Sequence, residues 1–282
     1  MPISCYLPSC GRARYNPLMI TDVLRPRTVR EAVREKSRPN AAYLGGGTWL
    51  NSRRSDTPTI LISLENLGLD AIEPRGDRCA VGAMVTLQQV VDHPSLPRAL
   101  RDAASFTASR TLRNMKTIGG ELGLWLPSSA VITALLALDG EVLLAGRKKP
   151  VSLVHARAAA GELILGIVVA GASRVSAARA ASRTSHSGAS VVAAVSAGAV
   201  RPTLADVHVA LSDCRGQLLR LNAVEEALNG SPLPPKEQIE GMISRAFAPA
   251  ADMHGSAEYK KYIAGVLAAN ALHALAQGGA AP

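Results

Sequence analysis

Three consecutive glycines, Gly45-Gly46-Gly47, stand directly behind the apolar run Ala42-Ala-Tyr-Leu44 and in front of Thr48. A helix or strand interior is a poor place for such a triplet, because glycine loses the most backbone freedom on folding and offers no side chain to pack. A short strand must therefore end near Leu44, and a turn with access to positive φ must follow. Consecutive glycines also let backbone N–H groups converge on an anion, the nest arrangement that phosphates use. The triplet lacks the Gly-Lys-Ser/Thr ending of a Walker loop and the Gly-x-Gly-x-x-Gly spacing of a dinucleotide fingerprint. A plain tight turn would satisfy the same residues.

The flanking pattern alternates short helices and strands. Thr28 with Glu31 reads as a capping box for a helix reaching about Lys36, and Thr59–Ser63 as a second strand. From Arg78 onward the spacing predicts a strand over Cys79–Met84, then a short helix capped by Thr86 and Gln89. A helix over Pro97–Thr107, a glycine-centred loop over Arg110–Leu122 and a buried helix over Ser128–Leu138 follow, then strands at Glu141–Ala145 and Leu163–Val169. The stretch 171–190, rich in Ala, Ser and Gly, reads as a mobile connector. Beyond it come strands near Val191–Ala199 and Ala205–Ser212 and helices near Ala223–Leu228, Lys236–Arg245 and Ser256–Leu275. Strands and helices interleave without a regular βαβ period, so the fold class is α+β. The expected organisation is an irregular extension over 1–18, a first domain over 19–175 split at about 72/73, and a C-terminal α+β domain over 185–277. Met19 is a plausible alternative start.

Composition excludes several function classes. No apolar run approaches the ~18–20 residues of a membrane helix, and the N-terminus has no secretory h-region. Cys5, Cys10, Cys79 and Cys214 show no metal-ligand spacing, which points to a reducing, cytoplasmic setting without disulfides or a metal site. The net charge of +9 invites a nucleic-acid reading, but aromatics make up only 3% of the residues, too few for interleaved base stacking. The basic surface then serves solubility or docking to an acidic partner. No Gly-x-Ser-x-Gly or His-Glu-x-x-His occurs. His93, His155 and His273 have no paired nucleophile or carboxylate in sequence, so no catalytic residue is assigned. Asp139 is expected in a turn. Tyr259 and Lys260 are expected to pin the last helix.

The second glycine signal is more specific. Arg113-Asn-Met-Lys-Thr-Ile-Gly-Gly-Glu-Leu122, then Pro127 and Leu135-Leu-Ala-Leu-Asp139, resembles the Thr-Ile-Gly-Gly signature of the flavin subunits of molybdenum hydroxylases, the xanthine dehydrogenase family. Gly45–Leu50 resembles that family's Ala-Gly-Gly-Thr-Asp-Leu loop, and Val81-Gly-Ala-Met-Val-Thr86 its Ile-Gly-Ala segment. Glu225-Glu-Ala-Leu-Asn-Gly230 and Asp252-Met-His-Gly-Ser-Ala-Glu-Tyr-Lys260 resemble its two closing motifs. The matches keep their order from about residue 20 to 275.

The resemblance implies a vanillyl-alcohol-oxidase (PCMH-type) FAD-binding domain of two α+β subdomains, followed by a C-terminal domain of the CO-dehydrogenase flavoprotein type. It implies a cofactor site made of Leu44, Gly45, Gly46, Gly47, Thr48, Trp49, Leu50 and Asn51 around the pyrophosphate. Thr117, Ile118, Gly119, Gly120 and Glu121 would form a second loop, with Ile164 and Arg179 beside the flavin. Trp49 and Trp125 could each cover ring surface or pack in a core. An iron–sulfur subunit and a large molybdopterin subunit would supply the other redox centres, with NAD a candidate acceptor. Four departures from the family pattern stand out: Glu121 replaces an asparagine, Ala130 an aspartate, Trp49 an acidic residue, and the two residues His186-Ser187 an acidic pair. Ala130, Glu121 and the Ala/Ser-rich stretch 171–190 keep open a second reading, a flavin-free scaffold subunit of the same kind of complex.

Overall fold

β1 (Ile20–Leu24), α1 (Val29–Lys36), β2 (Ala41–Leu44) and β3 (Thr59–Ser63) build a first unit, a parallel sheet ordered β1-β3-β2. The computed structural model describes residues 19–50, 59–126, 128–158, 161–182, 184, 188–200, 202–213, 215 and 217–276. The extension 1–18, Asn51, Pro127, Arg183, His186, Ser187 and Cys214 lie outside the described residues. Thr28 caps α1 by accepting from the Glu31 N–H at 3.2 Å, but the Glu31 carboxylate accepts from the Arg27 N–H at 2.9 Å instead of closing the box on Thr28. The core of this unit is small: Ala32, Ala41, Ile62 and Leu64, completed by Leu163 from the next unit. Unit one is therefore held in part by the chain it faces.

The second unit runs β4 (Ile72–Arg75), β5 (Arg78–Gly82), α2 (Leu87–Asp92), α3 (Arg98–Thr107), α4 (Arg110–Arg113), α5 (Ile118–Leu124), α6 (Ala130–Ala137), β6 (Glu141–Leu144), β7 (Val151–Ser152), α7 (Leu153–Ala158) and β8 (Ile164–Ala170). Its strands pair antiparallel in the order β4-β5-β8-β6-β7. Here the capping box of Thr86 and Gln89 closes in full. α6, apolar but for Thr133, is buried at every position but Leu136, as expected of a helix with neighbours on all sides. The stretch Arg110–Leu122, expected as one glycine-centred loop, contains α4 and most of α5. Thr117 caps α5 through the Gly120 N–H, a start signal that the neighbouring glycines mask.

The third unit holds β9 (Val175–Ala181), β10 (Val191–Ala197), β11 (His208–Asp213), β12 (Leu218–Arg220), α8 (Asn222–Leu228), α9 (Lys236–Ala246) and α10 (Ala257–Ala276), its sheet ordered β12-β11-β10-β9. All seven residues of β10 are buried. Val192 and Ala194 join the core that α3 and α6 share, whereas Val191, Ala193, Val195 and Ala197 join the core beneath α10. A strand covered on both faces reads as a continuous apolar run, as Val191–Ala197 does.

β9 corrects the expectation of a connector over 171–190. Val175–Ala181 pairs along its full length with β10. Ala and Ser are weak strand formers, but pairing and burial against α3 and α10 outweigh that preference. A charged joint ties the units together: His208 Nδ1 lies 3.1 Å from the Ala137 carbonyl at the end of α6 and 3.3 Å from Asp139, and its Nε2 lies 3.1 Å from Asp206. Arg174 bonds Asp206, whose carboxyl it holds below the usual carboxylate range. Asp139 does occupy a turn, at φ +48°. Lys260 is fully buried, donating to Asp252 Oδ2 at 2.6 Å and the Ala250 carbonyl at 2.9 Å, so it pins the start of α10 as expected. Among the described residues no helix is long and apolar enough to cross a membrane, and no His/Cys/Asp/Glu group could hold a metal.

Candidate functional site

A cleft of ≈ 330 Å³ lies between the first and second units. Gly45–Leu50, which leaves β2, forms one wall, and Lys116, Thr117, Gly119, Gly120 and Glu121 form the facing wall. Gly161–Ile164, entering β8, closes a third side, and Met84 and Leu124 add apolar surface. Its size is at the small end of the range for bound small molecules. Lys36, Tyr43 and Lys116 are lining residues the sequence did not single out. Lys36 Nζ donates to the Ala41 carbonyl at 2.8 Å and stands 6.0 Å over the Tyr43 ring. Burial raises the Tyr43 phenol pKa, so that hydroxyl stays protonated.

In the first loop only Gly47 needs glycine's conformational freedom, with φ +70°. Gly45 and Gly46 are glycines for another reason. A Cβ on Gly46 would fall 1.5 Å from the Met115 carbonyl oxygen, and one on Gly45 2.9 Å from Thr117 Oγ1. The close approach expected of a ligand is, at these two positions, an approach of protein to protein. The N–H groups of Gly46, Gly47 and Thr48 make no hydrogen bond within the described residues. They are available to a ligand.

The second loop is closed. The Ile118 N–H donates to Val85 at 3.0 Å, Gly119 to Ala83 at 2.8 Å, Gly120 to Thr117 Oγ1 at 3.1 Å and Glu121 to the Thr117 carbonyl at 3.0 Å. Glu121 is 4% exposed, with Lys116 Nζ 2.8 Å from one carboxylate oxygen and Ser129 Oγ 2.9 Å from the other. Glu121, which stands where the family has an asparagine, is thus met by a cation from the segment that leads into its own helix. Gly123, one turn into α5, faces open space, where a Cβ would meet nothing within 4 Å.

Of the residues singled out in sequence, the structure brings Gly45–Leu50, Thr117, Gly119, Gly120, Glu121 and Ile164 to one cleft. Leu44 is the last residue of β2 and stands just behind the lining. Ile118 does not line the cleft: its side chain is fully buried in the main core. Nor does Arg179: it sits mid-strand in β9, paired with Ala193, its guanidinium 3.9 Å from Asp102 on α3. Ala130 opens α6 inside the main core and also does not line the cleft. Trp49 lines it and is 43% exposed, whereas Trp125 packs against the main core with Arg157 6.0 Å from its ring. Asn51 lies outside the described residues.

Open N–H groups, an ammonium and apolar walls together fit a phosphorylated ligand with a flat apolar ring. Comparison with known proteins gives that ligand a family. Residues 18–160 match the FAD binding domain in molybdopterin dehydrogenase, and residues 176–275 the CO dehydrogenase flavoprotein C-terminal domain. The Escherichia coli (strain K12) protein YgfM is 36% identical over 258 residues, 89% of this chain and 95% of that one. The nicotine 6-hydroxylase medium subunit of Paenarthrobacter nicotinovorans is 30% identical over 72% of this chain and 77% of its own length. In fold the chain is similar to the carbon monoxide dehydrogenase of Hydrogenophaga pseudoflava, at TM-score 0.81 and 25% identity, covering 93% of this chain and 98% of that chain. It is equally similar in fold to quinoline 2-oxidoreductase from Pseudomonas putida 86, at TM-score 0.81 and 20% identity, covering 91% and 97%. The chain belongs to the family of FAD-binding medium subunits of the molybdenum hydroxylases.

Proposed function

We propose that this chain is the electron-transfer subunit of a cytoplasmic molybdenum hydroxylase complex, with FAD in the cleft between its first two units. The observation that carries the reading is the row of open N–H groups at Gly46, Gly47 and Thr48, in a cleft lined mostly by residues within the match to the FAD binding domain. Those groups hold the phosphates, and the Thr48 hydroxyl adds a further donor. Trp49, Met84, Leu124 and Ile164 supply the apolar surface that orients a flat ring and keeps water from it. FAD held there would supply the redox chemistry that links one-electron iron–sulfur donors to an acceptor such as NAD. The chain therefore needs no acid, base or nucleophile of its own.

The described part of the chain has no cysteine set for an iron–sulfur cluster, which takes four thiolates or a His-substituted equivalent. An iron–sulfur subunit and a large molybdopterin subunit are the expected partners. The flavin-free scaffold reading drew on Glu121, Ala130 and the Ala/Ser-rich stretch 171–190, part of which is the paired strand β9. Glu121 is neutralised by Lys116, and Ala130 is in the core, so neither argues against an anionic cofactor. The test is the visible spectrum of the purified chain, with the released cofactor identified after acid denaturation. Flavin bands and FAD in near-equal amount to protein are expected. A folded chain that neither carries FAD nor takes it up would leave the scaffold reading standing.

A further inference from the structure

Lys116 stands where the two loops touch: its backbone nitrogen is 3.4 Å from the point a Cβ on Gly46 would occupy. Its side chain is 21% exposed and lines the same cleft as the open N–H groups of Gly46–Thr48. The ammonium makes one hydrogen bond within the described residues, to Glu121, and so has donors left for a ligand. Glu121 in turn is held by Ser129 Oγ, which fixes the carboxylate against α6. The result is a cation on a tether: anchored by a buried carboxylate at one side, open to the cleft at the other.

We propose that Lys116 is a phosphate-binding residue for the dinucleotide, and that Glu121 is a positioning residue that aims the ammonium while competing for its charge. The proposal rests on the FAD reading above and deepens it. Phosphate and carboxylate both attract the same ammonium, so Glu121 weakens the grip it positions. Removing the lysine leaves a buried carboxylate facing the phosphates. Removing the carboxylate's charge frees the lysine for them. The two substitutions must therefore move affinity in opposite directions, which a merely structural brace would not do.

The experiment uses the full chain stripped of cofactor, with calorimetric titration of FAD, of ADP (phosphates without flavin) and of riboflavin (flavin without phosphates). Lys116→Met should weaken FAD and ADP by about tenfold or more, the scale of a lost charged hydrogen bond, and leave riboflavin within about twofold. Glu121→Gln should tighten ADP by about threefold or more, an effect that shrinks as salt is added. Lys116→Arg should retain most of the ADP affinity. The double variant Lys116→Met/Glu121→Gln, which leaves no unpaired buried charge, should fall between the single variants. The proposal is overturned if Glu121→Gln weakens ADP as Lys116→Met does, or if riboflavin falls in step with ADP. Wild-type chain that binds neither FAD nor ADP sinks the FAD reading as well, whereas wild-type binding with insensitive variants sinks only the role of the pair.

Discussion

In the loop Gly45–Leu50 the N–H groups of Gly46, Gly47 and Thr48 stay open, whereas in Thr117–Glu121 each N–H from Ile118 to Glu121 already has a protein acceptor. The two segments share glycines and a threonine, yet only the first is free to grip an anion. The second is braced along residues 83–87, where Leu87 donates to the Lys116 carbonyl and Ile118 to Val85. It then serves as the anvil on which the first loop rests: Met115 against Gly46, Thr117 against Gly45. Glycine content alone does not mark a ligand loop. What marks it is which backbone donors remain after the protein has satisfied its own.

The sharpest way to break this comparison is one chemical change made twice. A Cβ on Gly46 would overlap the Met115 carbonyl at 1.5 Å, so Gly46→Ala must push the loops apart. The expected loss is at least about 3 kcal/mol of stability, beyond ordinary overpacking because the obstacle is backbone. Gly123→Ala adds the same methyl inside α5 with nothing within 4 Å, and removes glycine's entropy cost in a helix. That variant should be more stable by up to about 1 kcal/mol. Denaturant unfolding of both decides the matter. Equal small effects would mean that the loops are not in contact as described.

These outcomes bear on what could be read in the sequence. The ordered motifs, the α+β class and most element positions were legible, because capping residues and apolar periodicity act locally. Thr86 with Gln89 and the apolar run of α6 are cases in point. β9 was not legible: Val175–Ala181 is a strand only because β10 pairs with it and helices cover it, which no local pattern encodes. The resemblance implies a place beside the flavin for Arg179, but β9 holds its guanidinium 3.9 Å from Asp102. Glu121 showed in sequence only as a replacement for the family's asparagine, because nothing in the pattern marks Lys116, five residues earlier, as its partner. The division of the glycines between ligand and protein contacts needs two segments about 70 residues apart to be seen together.

A smaller effect tests the brace itself. Thr117 is 4% exposed and caps α5 by accepting from the Gly120 N–H at 3.1 Å, while its side chain touches the Gly45 backbone position. Thr117→Ala should cost about 1 kcal/mol, the usual value of a lost N-cap. Thr117→Ser keeps the hydroxyl and should recover most of it. If the second loop is an anvil, cofactor affinity should fall with stability in the Ala variant and return in the Ser variant. Affinity lost in both with stability unchanged would give Thr117 a direct ligand role and undo the contrast between the loops.

The smallest expected effect concerns the third wall, where Glu162 pairs with Arg147 at 2.6 Å across the turn that leads into β8. The hydrogen bond from Arg147 holds the Glu162 carboxyl below its ordinary value, and Glu162 holds the Arg147 guanidinium above its own. A carboxyl whose folded value is depressed contributes stability that is present above the unfolded value and lost as pH falls through the folded one. The window is acid, below pH ~4. Both side chains are more than a third exposed, so water and salt screen the pair strongly. Arg147→Ala should therefore melt only slightly below the wild type, by a constant margin from pH 5 to 8 that closes toward pH 3 and with added salt. Thermal melts of the two proteins across that range are the check. A margin that widened in acid would mean that the wall is held by something other than this pair, whereas the expected result leaves it fastened by an exposed ion pair and not, as the two glycine loops are, by backbone packed against backbone.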